Sequence, residues 1–238
     1  VSTTSQVASQ RIADVLAARI LDGTLAPGSR IKQDQLADEL STSRIPVREA
    51  LRILETRGLV TLRANSGAWV MSLSLPDLEM SYEIRERIEP LLLADSIPRL
   101  TDEHVARMRE LQAEIVANDD VERFLVLDRE FHEVSYAGSE ATHLAGMVRG
   151  LWDTTQPYRR AFVRQAGTQE SWVIAAEHDL ILDAVARRDV DIATRMLTVH
   201  IRRTRLALLE HPEVIEQSMA PAGGAPQSVE SAASSRGR

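Results

Sequence analysis

Between Ser43 and Gly58 the chain carries both ends of one helix, and this constrains the fold more than any other stretch. Ser43 is an N-cap residue type, and Pro46 sits in the first turn, where its missing N–H has no intrahelical acceptor to lose. Gly58 is placed to take the C′ position past the last turn. Between these limits Ala50, Leu51 and Leu54 are available to hold the helix against a neighbour, while Arg44, Arg48 and Arg52, spaced by four, share a face.

The flanking segments set the context. A helix is expected over 7–22, with Ile12, Val15, Leu16 and Ile20 on one face. Asp22-Gly23 and Pro27-Gly28 are turn signals that bar its continuation, and a short helix follows over about 33–40. After Gly58, LVTLR, the turn ANSG and AWVMS have the pattern of a β-hairpin, with Gly67 supplying turn freedom. Helix, helix, three-residue turn, helix, hairpin is the order of a winged helix-turn-helix.

Beyond Ser74-Leu75-Pro76 the pattern changes. From Asp77 to about His211 no strand signal occurs, and six helices are expected over about 77–97, 101–117, 120–137, 141–164, 169–187 and 189–210. Pro90 should kink the first of them, and Leu100-Thr101-Asp102-Glu103 and Gly167-Thr168-Gln169-Glu170 have the form of capped starts. From Pro212 the chain has almost no large apolar residues and reads as a disordered tail. The expected fold is mainly α: an N-terminal winged helix-turn-helix with a small β-hairpin wing over 1–73, a linker at 74–76, an all-α helical bundle over 77–211, and a tail over 212–238.

Composition narrows the function. There is no cysteine, which excludes disulfides and thiol chemistry, and no apolar run is long enough to span a membrane. The first residues lack the pattern of a signal peptide, so a cytoplasmic location is expected. Lys32 is the only lysine, so the use of arginine elsewhere carries no functional message of its own. Residues 1–73 carry a net charge of +2 within a chain of net −7, so an anionic partner is expected to meet the head.

In a helix-turn-helix the second helix enters the major groove and its N-terminal residues touch base edges. Here that start offers Ser43, Arg44, Pro46 and Arg48, with Arg52 one turn further as a phosphate contact. Arginine can take guanine O6 and N7 bidentately or clamp phosphate. The hairpin places Asn65, Ser66 and Gly67 where a wing would meet the DNA backbone or minor groove. The alternative is a solvated face whose arginines pair with Glu49 and Glu55; the ordered succession of elements favours DNA.

Residues 25–60 closely resemble the DNA-binding domain of GntR-family bacterial transcription regulators. The resemblance rests on Pro27-Gly28-Ser29, Leu36-Ala37, Ser43-Arg44, the run Pro46-Val47-Arg48-Glu49-Ala50-Leu51, Leu54, Gly58 and the wing Asn65-Ser66-Gly67-Ala68. It implies that Arg44 and Arg48 contact DNA and that Gly67 is the wing-tip glycine. Two departures stand out. Gln33-Asp34-Gln35 replaces a stretch that often carries a further basic residue, and Asp34 would repel phosphate; Ser41 stands where the turn usually has glycine.

In the second part, Asp128 and His132 lie four apart on one helical face beside the apolar stripe of Phe124, Phe131 and Val134. His178 falls between Ile174 and Ile181, and His200 follows Met196 by four. Three helices thus aim ionisable groups inward, which is costly unless they pair with one another or with a cation. One carboxylate and three imidazoles suit Zn²⁺, with Ni²⁺, Mn²⁺ and Fe²⁺ as alternatives; the other reading is a set of satisfied core histidines. His104, His143 and His211 fit no shared stripe and read as surface residues.

This arrangement resembles the FCD effector domain of one large GntR subfamily. The resemblance assigns Asp128, His132, His178 and His200 as metal ligands and implies a carboxylate effector at the ion. Residues 84–90, IRERIEP, resemble the domain's opening helix, which makes Arg85 the candidate for the effector carboxylate, with a surface salt bridge as the alternative. An enzyme reading finds little support: His132-Glu133 is not a zincin motif because position 136 is Tyr, and Glu130 and Glu133 should point away from the ligands. The expected function is a homodimeric regulator, a repressor of a palindromic DNA operator released by a small carboxylate effector at a metal site. A metal-dependent enzyme and a DNA-binding dimer without effector are the alternatives.

Overall fold

The computed structural model describes residues 3–64, 67–166, 171–213 and 215. The head begins with α1 (Thr3–Leu21), followed by the two-residue strand β1 (Arg30–Ile31), α2 (Gln33–Glu39), α3 (Arg44–Thr56), β2 (Val60–Arg63) and β3 (Gly67–Val70). Val47, Ala50, Leu51 and Leu54 of α3 are fully buried and share a core with Ile12, Leu16 and Ile20 of α1. Leu51→Ala would cost about 2–5 kcal/mol through the cavity it leaves.

Both ends of α3 follow from the sequence, with one correction. Gly58 has a φ of +75°, its N–H bonds to Glu55 O, and the Leu59 N–H bonds to Leu54 O. Together these form the Schellman arrangement that releases a chain from a helix. Ser43 occupies the N-cap in extended conformation, but its hydroxyl makes no cap bond. Ser41 keeps the left-handed turn usual for glycine, at a φ of +49°. The turn geometry is therefore preserved, and the serine carries the steric cost of it.

The expected hairpin is the larger part of a three-stranded antiparallel sheet in the order β1-β3-β2. Arg30 pairs with Trp69, and Thr61 pairs with Trp69 from the other side. A two-residue strand has no alternation to read; only its pairing with β3 defines it.

The body comprises α4 (Leu75–Ser96), a 3-10 turn (Ile97–Arg99), α5 (Asp102–Val116), α6 (Val121–Ser135), α7 (Thr142–Ala166), α8 (Ser171–Ala186) and α9 (Val190–Leu209). Each expected helix is present with ends shifted by a few residues. Side chains cap several starts: Ser74 with Asp77, Thr101 with His104, and the Asp120 and Asp189 carboxylates on the first turns of α6 and α9. Ser74-Leu75-Pro76, expected as a linker, is thus the cap and first turn of α4. Pro90 lies inside α4 and Pro157 inside α7, and both helices continue through them. The expected start at 167–170 and nearly all of the expected tail lie outside the described residues; within the tail, Ile215 is buried in the body core.

The body touches the head mainly through α7. Arg160 donates to Leu21 O at the end of α1, and the Tyr158 hydroxyl accepts from the Leu73 N–H at 2.6 Å. Arg57, at the C-cap of α3, lies 3.5 Å from both Asp14 of α1 and Asp153 of α7.

Candidate functional sites

The first candidate site is the outward face at the start of α3. Arg44, Arg48 and Arg52 are exposed there, as is Ser43. Their commitments differ. Arg44 Nε lies 2.8 Å from Asp34 Oδ1, and Arg52 Nη1 lies 2.8 Å from Glu49 Oε1, whereas Arg48 has no carboxylate at ion-pair distance among the described residues. Pro46, counted among the reading residues from sequence, is buried and shapes the first turn from inside. Arg57, at the C-cap of the same helix, bridges Asp14 and Asp153 rather than facing this surface.

Ile45, 67% exposed between the two arginines, escaped the sequence reading. Its only signal is an apolar residue off the buried stripe, a type suited to a thymine methyl. On the wing, Gly67 has a φ of +97°, while Asn65 and Ser66 lie outside the described residues. Arg30 and Arg63 stack toward Trp69 at 5.9 and 5.1 Å, two further basic residues not singled out from sequence.

The second candidate site lies in the body. α6 brings Asp128 and His132, α8 brings His178 and α9 brings His200, and one ligand atom from each lies within 4.8 Å of the others. The three imidazole centroids form a near-equilateral triangle of 5.2, 5.2 and 5.0 Å. All four side chains are buried. None of the ring nitrogens of His132 and His178 has a hydrogen-bond partner. Satisfied core histidines would look different: buried polar groups are nearly always paired, so this many orphans in one place fit a cation they would coordinate.

The surroundings complete the chemistry. Asp128 Oδ2 lies 2.6 Å from Arg159 Nη1 of α7, and Oδ1 lies 3.5 Å from His178 Nε2. Burial alone would raise the Asp128 carboxyl, but Arg159 with His132 and His178 outweighs it and holds the group well below the usual carboxylate range. Burial pushes His132 well below its ordinary value and His178 down to about 3, so both rings are neutral, the form that binds metal. His200 Nδ1 lies 2.8 Å from Glu177 Oε2, which leaves Nε2 for the centre. Such a carboxylate fixes ring orientation and raises ligand basicity. Burial would raise Glu177, yet hydrogen bonds from His200 and Arg203 hold it at about 2. Glu130 and Glu133 pair with Arg107 and Arg129, away from the ligands.

Arg85 is not a surface residue. It is buried, with Nε 2.5 Å from Glu89 Oε1 and Nη1 3.3 Å from the Thr155 hydroxyl, and it stacks on Trp152 at 4.4 Å. The other Glu89 oxygen accepts from the Tyr136 hydroxyl at 2.8 Å and from Trp152 Nε1 at 3.1 Å. Trp152 links this network to the four-ligand centre, since His132 lies 5.4 Å and Arg159 5.3 Å from its ring. Arg159 and Glu177 were missed from sequence because each becomes meaningful only beside a residue of another helix.

Residues 8–70 match the family described as "Bacterial regulatory proteins, gntR family", and residues 79–203 match the "FCD domain". The Nta operon transcriptional regulator of Aminobacter aminovorans is 30% identical over 186 residues, covering 77% of this chain and 86% of that protein. The gluconate operon transcriptional repressor of Bacillus subtilis (strain 168) is 26% identical, covering 75% of this chain and 76% of that protein. Among solved structures, E. coli McbR/YncC superposes with a TM-score of 0.75 at 23% identity, over 86% of this chain and 98% of that one, a likeness of fold. No helix among the described residues is long and apolar enough to cross a membrane.

Proposed function

Because the chain belongs to the gntR family of bacterial regulatory proteins and carries an FCD domain, it is a DNA-binding transcription regulator, and on that premise we propose that it is a homodimeric repressor released by a small carboxylate effector at a divalent metal. The observation that supports the metal and effector is the convergence of Asp128, His132, His178 and His200, with the ring nitrogens of His132 and His178 unpaired. The donor set of three imidazoles and one carboxylate suits Zn²⁺, with Ni²⁺, Mn²⁺ and Fe²⁺ as alternatives. When bound, such an ion supplies Lewis acidity toward an effector carboxylate. Arg159 holds Asp128, Glu177 holds His200, and Trp152 stacks between His132 and Arg85 beside the cluster. Arg85 is the proposed partner of the effector's carboxylate, though it would have to share its guanidinium with Glu89.

On the head, Ser43, Arg44, Arg48 and Gly67 are the proposed DNA contacts, with Arg52 toward phosphate and Asn65 at the wing tip. A dimer is supported by α4, where Met80, Ile84 and Leu91 form one exposed apolar stripe. Two heads on a two-fold axis would read a palindrome whose half-sites are centred about one helical turn apart or closer.

The path from effector to head runs along α6 and α7. Asp128 is followed by Arg129, whose Nη2 lies 2.7 Å from Asp153, which in turn meets Arg57 of the head. Arg159 is followed by Arg160, which holds Leu21 O. A shift of α6 or α7 at the centre therefore reaches the recognition helix and α1 directly. Any effector response requires unequal ligand affinity in the two arrangements.

The test combines elemental analysis with operator binding, using an operator selected from a random duplex pool. Wild type should retain about one equivalent of metal per chain and lose operator affinity with some member of a carboxylate panel, whereas His132→Ala should lose both metal and response. A metal-free wild type that ignores every carboxylate sinks the proposal.

A further inference from the structure

Asp34, in the first turn of α2, and Arg44, the first residue of α3, meet across the turn with Nε 2.8 Å from Oδ1. We propose that Asp34 is a positioning residue that aims Arg44 at a base edge and thereby sets sequence discrimination. This rests on the reading above that Arg44 contacts DNA.

The guanidinium is planar, with five N–H donors in a fixed fork. A carboxylate beside Nε restrains the guanidinium by charge and leaves the terminal Nη pair free, and that pair can match guanine O6 and N7. Stability does not account for the contact: the two side chains are 70% and 64% exposed, and such pairs contribute little to folding. Nor does affinity, because a carboxylate on a DNA-facing surface repels phosphate. It thereby disfavours the sequence-blind use of Arg44 as a phosphate clamp, which is a way of gaining specificity by penalising the wrong contact. Arg48, one turn on, has no such partner among the described residues and remains free for either role. On docking, exclusion of water strengthens the Asp34–Arg44 contact at the moment it is needed.

The experiment measures affinity at fixed salt for the selected operator and for a random duplex of equal length, using wild type, Asp34→Ala, Asp34→Asn and Arg44→Ala. Asp34→Ala should bind random duplex at least as tightly as wild type and lose about tenfold of the operator-to-random ratio, with Asp34→Asn intermediate. Replacing the guanine read by Arg44 with 7-deazaguanine should cost wild type more than it costs Asp34→Ala. An unchanged ratio in both Asp34 variants overturns the proposal. So does a parallel fall in both affinities, which marks a role in holding α2; Asp34→Asn, being isosteric, decides the matter if Asp34→Ala fails to fold. An Arg44→Ala that keeps its ratio overturns the underlying DNA contact, whereas loss in Arg44→Ala with retention in both Asp34 variants overturns the positioning role alone.

Discussion

The guanidinium of Arg159 lies 2.6 Å from the Asp128 carboxylate, and both side chains are buried. One helix thus supplies a buried carboxylate and another supplies its counter-charge. Removing one partner of a buried ion pair typically costs about 3–5 kcal/mol, because the other is left uncompensated. A cation among the ligands would compensate Asp128 in its place. Arg159→Leu should therefore destabilise chelator-treated protein by several kcal/mol and metal-loaded protein by much less, read by denaturant unfolding in both states. Equal losses in the two states would argue against a cation at Asp128.

Acid should unfold the metal-free protein through the same cluster. His132 and His178 are held neutral by burial, with His178 pushed down to about 3, while in the unfolded chain they titrate near the ordinary 6.5. The unfolded state therefore binds more protons between these values, so stability falls as pH drops from about 6.5 toward 3, by up to about 1.4 kcal/mol per pH unit for each full proton of difference. Glu177, held at about 2 from 4.5, adds to the loss below about 4.5. Urea midpoints of chelator-treated protein at pH 7.5, 6 and 5 should decline in that order, and the decline should shrink in His178→Phe.

Asp153 is buried between Arg129 of α6 and Arg57 of the head. Asp153→Asn keeps its volume but removes the charge that joins the two. Metal content should stay at the wild-type level and effector-free operator affinity should change by no more than about threefold, while the effector's influence on that affinity falls. Couplings of this kind are worth about 1–3 kcal/mol, so the expected loss is readable by titration. A full effector response in Asp153→Asn would remove this contact from the path.

Ser41 adopts a φ of +49°, where a side chain crowds the following carbonyl. Ser41→Gly relieves that crowding but adds freedom to the unfolded chain, and the net gain should be about 0.5–1 kcal/mol. A raised melting temperature with unchanged operator affinity is the expected result, since the turn already has the glycine-like geometry.

Local signals carried much of this molecule. Ser43, Pro46 and Gly58 marked the recognition helix, and period alone separated the head from the helical body, because caps and amphipathic faces act within a few residues of one another. The four clustered residues were legible for a similar reason: each interrupts an apolar stripe on its own helix, so burial could be read one helix at a time. What a single helix could not announce was its partner. Asp34 reads as a residue that repels phosphate until Arg44 is seen beside it, and Arg85 reads as an open cation until Glu89, Tyr136 and Trp152 close around it. Pro46 reads as part of an exposed start until packing turns it inward.

The amino-acid sequence by itself determined where helices start and stop, which faces are apolar, and which residue types can reach DNA or a cation. Only the tertiary structure decided that α6, α8 and α9 bring Asp128, His132, His178 and His200 to within 4.8 Å, and that α7 ties this centre to the head through Arg159 and Arg160. The reason is range. Backbone propensity and capping depend on neighbours a few residues away, whereas ion pairs and coordination depend on distances of a few ångströms between residues far apart in the chain, which only packing sets.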